Sequence, residues 1–136
     1  MNQIISKSDF ENATERNCLY VFIDSHEQSI SLNQIIAQKL KATSSMLRSI
    51  KIERIINEVI AELPNNPIIS GIDVLFNPCY KVDVLDILVQ ADKQKNFTLI
   101  WPGILVGNKL IYSEEGFADY KEFDISKYNI ICVTEE

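Results

Sequence analysis

A single three-layer α/β domain with a mostly parallel sheet, spanning residues 1–136, is the fold class this sequence predicts. Three observations predict it. Apolar runs of strand length alternate with segments of helical periodicity, the pattern of helices laid on the faces of a sheet. The runs are apolar throughout rather than at every second residue, as in strands covered on both faces. A chain of 136 residues suffices for one continuous core, and no linker, repeat or low-complexity tract divides it.

The elements follow in chain order. Residues 8–16, SDFENATER, read as a short polar helix, with Ser8 as cap and Glu11 three residues on. LYVFI, Leu19 to Ile23, is a buried strand ended by Asp24. SIS is a second short strand, and LNQIIAQKLKA a helix with Leu32, Ile35, Ile36 and Leu40 near one face. The clearest helix runs from about Leu47 to Leu63, with Ile52, Ile55, Ile56, Val59, Ile60 and Leu63 repeating on one stripe. Thr43, Ser44 and Ser45 offer caps before it, and Pro64 stops it.

NNPIISGIDVLF reads as a turn and a third strand, and Asn77-Pro78 as a cap with proline at the first helical position. A helix from about Tyr80 to Lys93 follows, with Val82, Leu85, Leu88 and Val89 on one face. FTLIW is a fourth strand closed by Pro102-Gly103, KLIYS a short strand, EEGFADYKEFD a loop or short helical piece, and NIICV the last strand. Ligands of parallel sheets bind beyond the carboxyl ends of the strands. That directs attention to Asp24-Ser25-His26, Phe76-Asn77-Pro78 and Trp101-Pro102-Gly103.

Composition excludes some functions. The chain is 46% hydrophobic and 24% charged, an ordinary balance for a water-soluble domain. A net charge of −6 disfavours general nucleic-acid binding, which needs clustered cations. Cys18, Cys79 and Cys132 form no paired motif and read as free thiols in a reducing cytoplasm. His26 is the only histidine, so a His/Cys zinc site is not expected. No apolar run is long enough for a membrane span, and MNQIISKSDF, without a long apolar core or a small-residue cleavage site, does not read as a signal peptide.

Each candidate chemistry has a plainer counterpart. GILVGNKL (103–110) superficially resembles a phosphate loop, but its glycines are one residue too close and an apolar strand follows. It is read as a turn. Asp24, His26, Glu27 and Asp73 are the candidates for a divalent-metal site of a small nuclease or phosphatase. The plainer reading makes Asp24, Ser25 and His26 a strand end and a turn. There is no nucleophile elbow and no glycine-rich dinucleotide motif, so no catalytic residue and no cofactor is assigned. Trp101, Tyr112, Phe117, Tyr120, Phe123 and Tyr128 crowd the last third. They are material for a satellite core or for a binding surface, where Trp and Tyr are enriched.

DVLFNP, KVDVLDIL, LIWPG and KLIYSEEGFADY, all within residues 67–124, carry a family resemblance. This segment resembles the small P-loop protein of type 3 BREX (bacteriophage exclusion) systems, the BrxF family. ISLNQIIAQKLKA is similar to that family's second strand and helix, and LYVFI stands at its first strand. The resemblance implies an ATP-binding core of AAA-like or RecA-like kind, working beside larger proteins in phage defence.

The chain departs from that family where nucleotide would be held. Only DSHEQ separates LYVFI from SISLNQII, so the phosphate loop and its helix are missing. Ser70 and Gly71 stand near the Walker B position, and Asp73 at a later acidic one. The resemblance therefore implies a degenerate P-loop NTPase, BrxF-like but without turnover. Such a pseudo-ATPase would be a scaffold or regulatory subunit that binds larger subunits of a defence complex. A separate alternative is a bare structural module that self-associates through an exposed edge strand. The residues expected to meet a partner are Trp101, Pro102, Gly103, Tyr112, Glu114, Gly116 and Tyr120.

Overall fold

The computed structural model describes residues 3–12, 18–44 and 46–135. Its element order is β1 (Ile4–Ser6), α1 (Lys7–Glu11), β2 (Leu19–Phe22), β3 (Ile30–Ser31), α2 (Asn33–Lys41), α3 (Arg48–Ala61), β4 (Ile68–Ser70), α4 (Val84–Gln94), β5 (Thr98–Ile100), β6 (Ile104–Val106), β7 (Lys109–Tyr112), β8 (Lys121–Asp124) and β9 (Ile130–Thr134). Single turns of 3-10 helix at Asp73–Phe76, Pro78–Tyr80 and Ile125–Lys127 punctuate it.

Six strands form one sheet in the order β1-β9-β2-β5-β4-β3. Every pairing in it is parallel, which the alternation of strand and helix required. β2 lies inside this sheet and all four of its residues are buried, as a continuously apolar strand should be. Leu19 and Val21 face the main core, which α2, α3 and α4 cover with Ile36, Leu40, Ile52, Ile56, Ile60, Leu85 and Leu88. Tyr20 and Phe22 face the other way, into a smaller cluster with Cys18 and Val133. Phe10 of α1 closes it edge-on, with ring centroids 4.9 and 5.0 Å from those of Tyr20 and Phe22. The two helical layers are thus unequal, and five residues of α1 serve where a full helix would be expected.

Several boundaries differ from expectation. β1 was not expected: its pairing with β9 is non-local, and a three-residue run has no period of its own. Helix α1 begins at Lys7 behind a Ser6 cap, not behind Ser8; the expected stretch past Asn12 lies outside the described residues. Helix α3 has no side-chain cap, although Thr43, Ser44 and Ser45 were offered for it; Ser45 lies outside the described residues. Arg48 fastens that corner from the other side. Its Nε donates to the carbonyls of Leu40 and Thr43 at 2.7 and 3.1 Å, satisfying the end of α2.

The third expected strand stops at Ser70. Gly71 takes φ 59°, where any Cβ would collide with Ser31, and extended backbone cannot continue. Asn33 then organises the 3-10 turn. Its Oδ1 accepts from the Val74 amide at 2.9 Å, and its Nδ2 donates to Asp73 Oδ1 at 3.1 Å. Asn77 does cap, with Pro78 behind it, but caps a 3-10 turn; α4 has its own cap in Asp83.

Candidate functional site

Two places at the carboxyl edge of the sheet hold the residues singled out above. The first is the connection from β2 to β3. β5 and β4 stand between these strands in the sheet, and residues 23–29 cover the whole crossing. The connection contains no glycine, and Asp24 itself takes the left-handed turn, at φ 51°. It stays at the carboxyl edge: Lys7, just past β1, donates to Glu27 Oε1 at 2.8 Å, and Ser29 donates to Ser70 Oγ at 2.7 Å.

Lys7, Asp24, His26, Glu27, Gln28 and Glu135 line an open cavity of about 470 Å³ there. A cation already stands among these acids, and Glu27 beside Lys7 raises the ammonium above its usual range. Asp73 is not part of the group. It is engaged by Asn33 and by the Tyr112 hydroxyl, which donates to Asp73 Oδ2 at 3.0 Å. Asp24, His26 and Glu27 are therefore together and Asp73 is elsewhere. Among the described residues no three His, Cys, Asp or Glu side chains are placed to hold a metal ion. An Asp24→Gly variant should fold at least as stably, gaining up to about 1 kcal/mol from relief of the left-handed strain. Chemical denaturation checks this; a large loss would mean that the carboxylate has a further role.

The second place is built on aromatics. After β5 the chain leaves the sheet through Trp101-Pro102-Gly103 and forms a second, antiparallel sheet in the order β6-β7-β8. GILVGNKL is the start of that sheet, so the expected turn is present but flanked by a strand that was not expected. Val106 and Lys109 face each other across Gly107-Asn108, with Gly107 at φ 59°. Glycine at the first of two turn positions suits a type II′ hairpin.

The inner face of this sheet is a core. Phe76 stacks on Tyr112 with centroids 3.8 Å apart and planes 8° from parallel, and meets Trp101 edge-on at 5.8 Å. Phe123 joins Trp101 at 5.7 Å and Tyr128 at 6.1 Å. Polar tips are all satisfied: Trp101 Nε1 donates to the Ile111 carbonyl at 3.0 Å, Tyr112 to Asp73, and Tyr128 to Asp83 Oδ2 at 2.7 Å. Trp101 is 3% exposed and Tyr112 8%. These two expected contact residues are accordingly foundations of the surface and cannot meet a partner directly. Pro102, Gly103 and Tyr120 are half-buried, and Glu114 and Gly116 are exposed on the β7–β8 loop.

The outer face carries what the sequence reading missed. Strand alternation puts Ile104 and Val106 opposite Leu105, and the register sets Ile111 beside Ile104. Ile104 is 57% exposed and Val106 55%, with Ile111 half-buried next to them. Phe117, 61% exposed, stands on the same loop as Glu114 and Gly116. The signal was present in ILV-GN-KLIY: two β-rich runs around a glycine-led two-residue turn.

Burial also gives the fold an alkaline limit. Burial, and then the bond to Asp73, push the Tyr112 hydroxyl up to about 12. Burial alone pushes the Cys132 thiol up to about 12. An unfolded chain releases these protons near their ordinary values, about 10 and about 8.5, while the folded chain holds them. Both groups therefore add stability that is complete below those values and is lost as pH rises through the folded ones. Tm should fall from about pH 9 to about pH 12. In Tyr112→Phe the decline above about pH 10 should be shallower; thermal melts over a pH series check this.

Among the described residues no helix is long and apolar enough to cross a membrane. No family model, no curated protein and no solved structure matches the chain.

Proposed function

We propose that this chain is a non-catalytic, ATPase-like scaffold or regulatory subunit that works by protein–protein contact, in a phage-defence complex of BREX type. The observation that carries the contact is the outer face of the small sheet: Ile104 and Val106 stand in solvent beside half-buried Ile111, fixed in place by a buried aromatic base. Exposed apolar side chains that adjoin on a rigid element mark interaction sites.

Two further observations support the ATPase-like part. Counted from β2, the five strands β2, β3, β4, β5 and β9 lie in the order fifth, first, fourth, third, second. A parallel sheet with helices laid on it is compatible with the α/β core, AAA-like or RecA-like, that the resemblance implies. Where such a core would hold phosphate, the connection of residues 23–29 has no glycine and no following helix before β3. A backbone anion cradle with its lysine has no counterpart there.

The test is capture from the native host with the wild-type chain and with Ile104→Lys/Val106→Lys. Both substitutions lie in solvent, so the variant should keep its fold and lose the defence-complex subunits that the wild type retains. Equal capture by both, or capture of no such subunit by the wild type, overturns the reading.

A further inference from the structure

Strand β6, three residues long, is an edge that carries no charge, proline or bulge. The two-residue turn makes Val106 and Lys109 a hydrogen-bonded pair, so Leu105 and Leu110 form the next, non-bonded pair. The Leu105 amide and carbonyl consequently point away from β7, and among the described residues no strand pairs with β6 on that side. Edges of this kind are usually blunted by charge, proline, a bulge or extreme shortness. The other edge of the same sheet, β8, carries Lys121, Glu122 and Asp124. In the main sheet β3 is only two residues long, and on β1 both Ile4 and Ile5 pack against the cores. From Gly103 to Asn108 there is no charged residue at all. Met46, Leu47 and Ile50 are also exposed, at the α2–α3 corner, but no strand edge adjoins them.

We infer that the occupant of this edge is a second copy of the chain, paired antiparallel β6 to β6 about a two-fold axis at Leu105. This rests on the docking reading above and adds, at the strand edge beside that face, a second copy of the chain. Self-pairing demands self-complementarity, because an isologous contact sets each residue against its own mate. Here Leu105 meets Leu105 of the other copy, and each exchanges the outward amide and carbonyl. Ile104 meets Val106 of the other copy, so the two apolar rows join on the outer face. A molecule with net charge −6 repels its copies over most of its surface. β6 offers them an approach that sets no like charges opposite each other. A strand of three residues buries little, so the pair is weak and depends on concentration.

Sedimentation equilibrium over about 1 µM to about 1 mM tests this, with Val106→Lys and Leu105→Pro. Proline at position 105 removes the outward amide and no bond to β7. Circular dichroism melts verify that each variant is folded. The wild type should rise from 15.5 kDa toward twice that mass, and Val106→Lys should weaken association by about tenfold or more. A wild type that stays at one chain's mass throughout overturns the inference, as does Val106→Lys associating like the wild type. If the wild type is monomeric yet captures its host subunits through the same residues, only the second copy is ruled out. If Val106→Lys changes neither association nor capture, the docking reading fails with it.

Discussion

A Gly103→Ala variant is expected to lose about 3 kcal/mol of stability, or roughly 10 °C in Tm, although it adds a single methyl group. Gly103 lies where the chain leaves β5 for the small sheet. A Cβ there would overlap the Ile111 carbonyl oxygen and stand 2.9 Å from Trp101 Nε1. Those are the two ends of the hydrogen bond that pins β7 to the tryptophan. Backbone cannot yield as the tip of a flexible side chain can, so β7 must shift and the bond must lengthen. The indole N–H would then be buried without a partner, which itself costs about 1–3 kcal/mol. Denaturant titration of the two proteins checks it; a loss below about 1 kcal/mol would mean that the small sheet moves freely on its base.

Phe76→Ala should cost about 3–5 kcal/mol and act on the same junction from the opposite side. Phe76 comes from the 3-10 turn after β4 and touches Trp101, Tyr112 and Phe123, one aromatic from β5's end and one from each of two strands of the small sheet. Removing the ring leaves a cavity that rigid neighbours cannot close. The expected signature is local as well as global: amide exchange over residues 104–124 should quicken more than in β2 or β9. Phe76→Leu, which keeps much of the volume, should recover a large part of the loss. Equal exchange in both regions would place the small sheet within one cooperative unit with the main sheet.

What could be read beforehand followed from periodicity. The Ile52–Ile60 stripe, the wholly apolar LYVFI and the face of Leu85 and Leu88 announce their elements because burial imposes a period on them. β1 could not be read, because it exists through a partner more than a hundred residues away. Nor could the end of β4, since apolar residues, Ile68 and Ile69 before and Ile72, Val74, Leu75 and Phe76 after, flank the point where Gly71 turns at φ 59°. Of the seven residues expected to meet a partner, Trp101 and Tyr112 are buried, while Glu114 and Gly116 are exposed. Large rings with polar tips suit a binding surface and a core alike; here each tip finds an acceptor inside, and Trp101 and Tyr112 are buried with it. The exposed row of Ile104 and Val106 was hidden by their small size and by the glycines at either end of the strand. Asp24 and His26 were legible as turn residues, and the left-handed φ of Asp24 accords with that.

The central claim is that this frame serves as a surface and that its glycine-free connection does not hold nucleotide. Thermal unfolding with and without MgATP tests it most directly, because any ligand that binds the folded chain must stabilise it. At about 100 times its Kd a nucleotide would add about 2.7 kcal/mol, raising Tm by about 8 °C. The account predicts no rise beyond about 1 °C at millimolar MgATP. A saturable rise of several degrees, lost on substitution within residues 23–29, would contradict it.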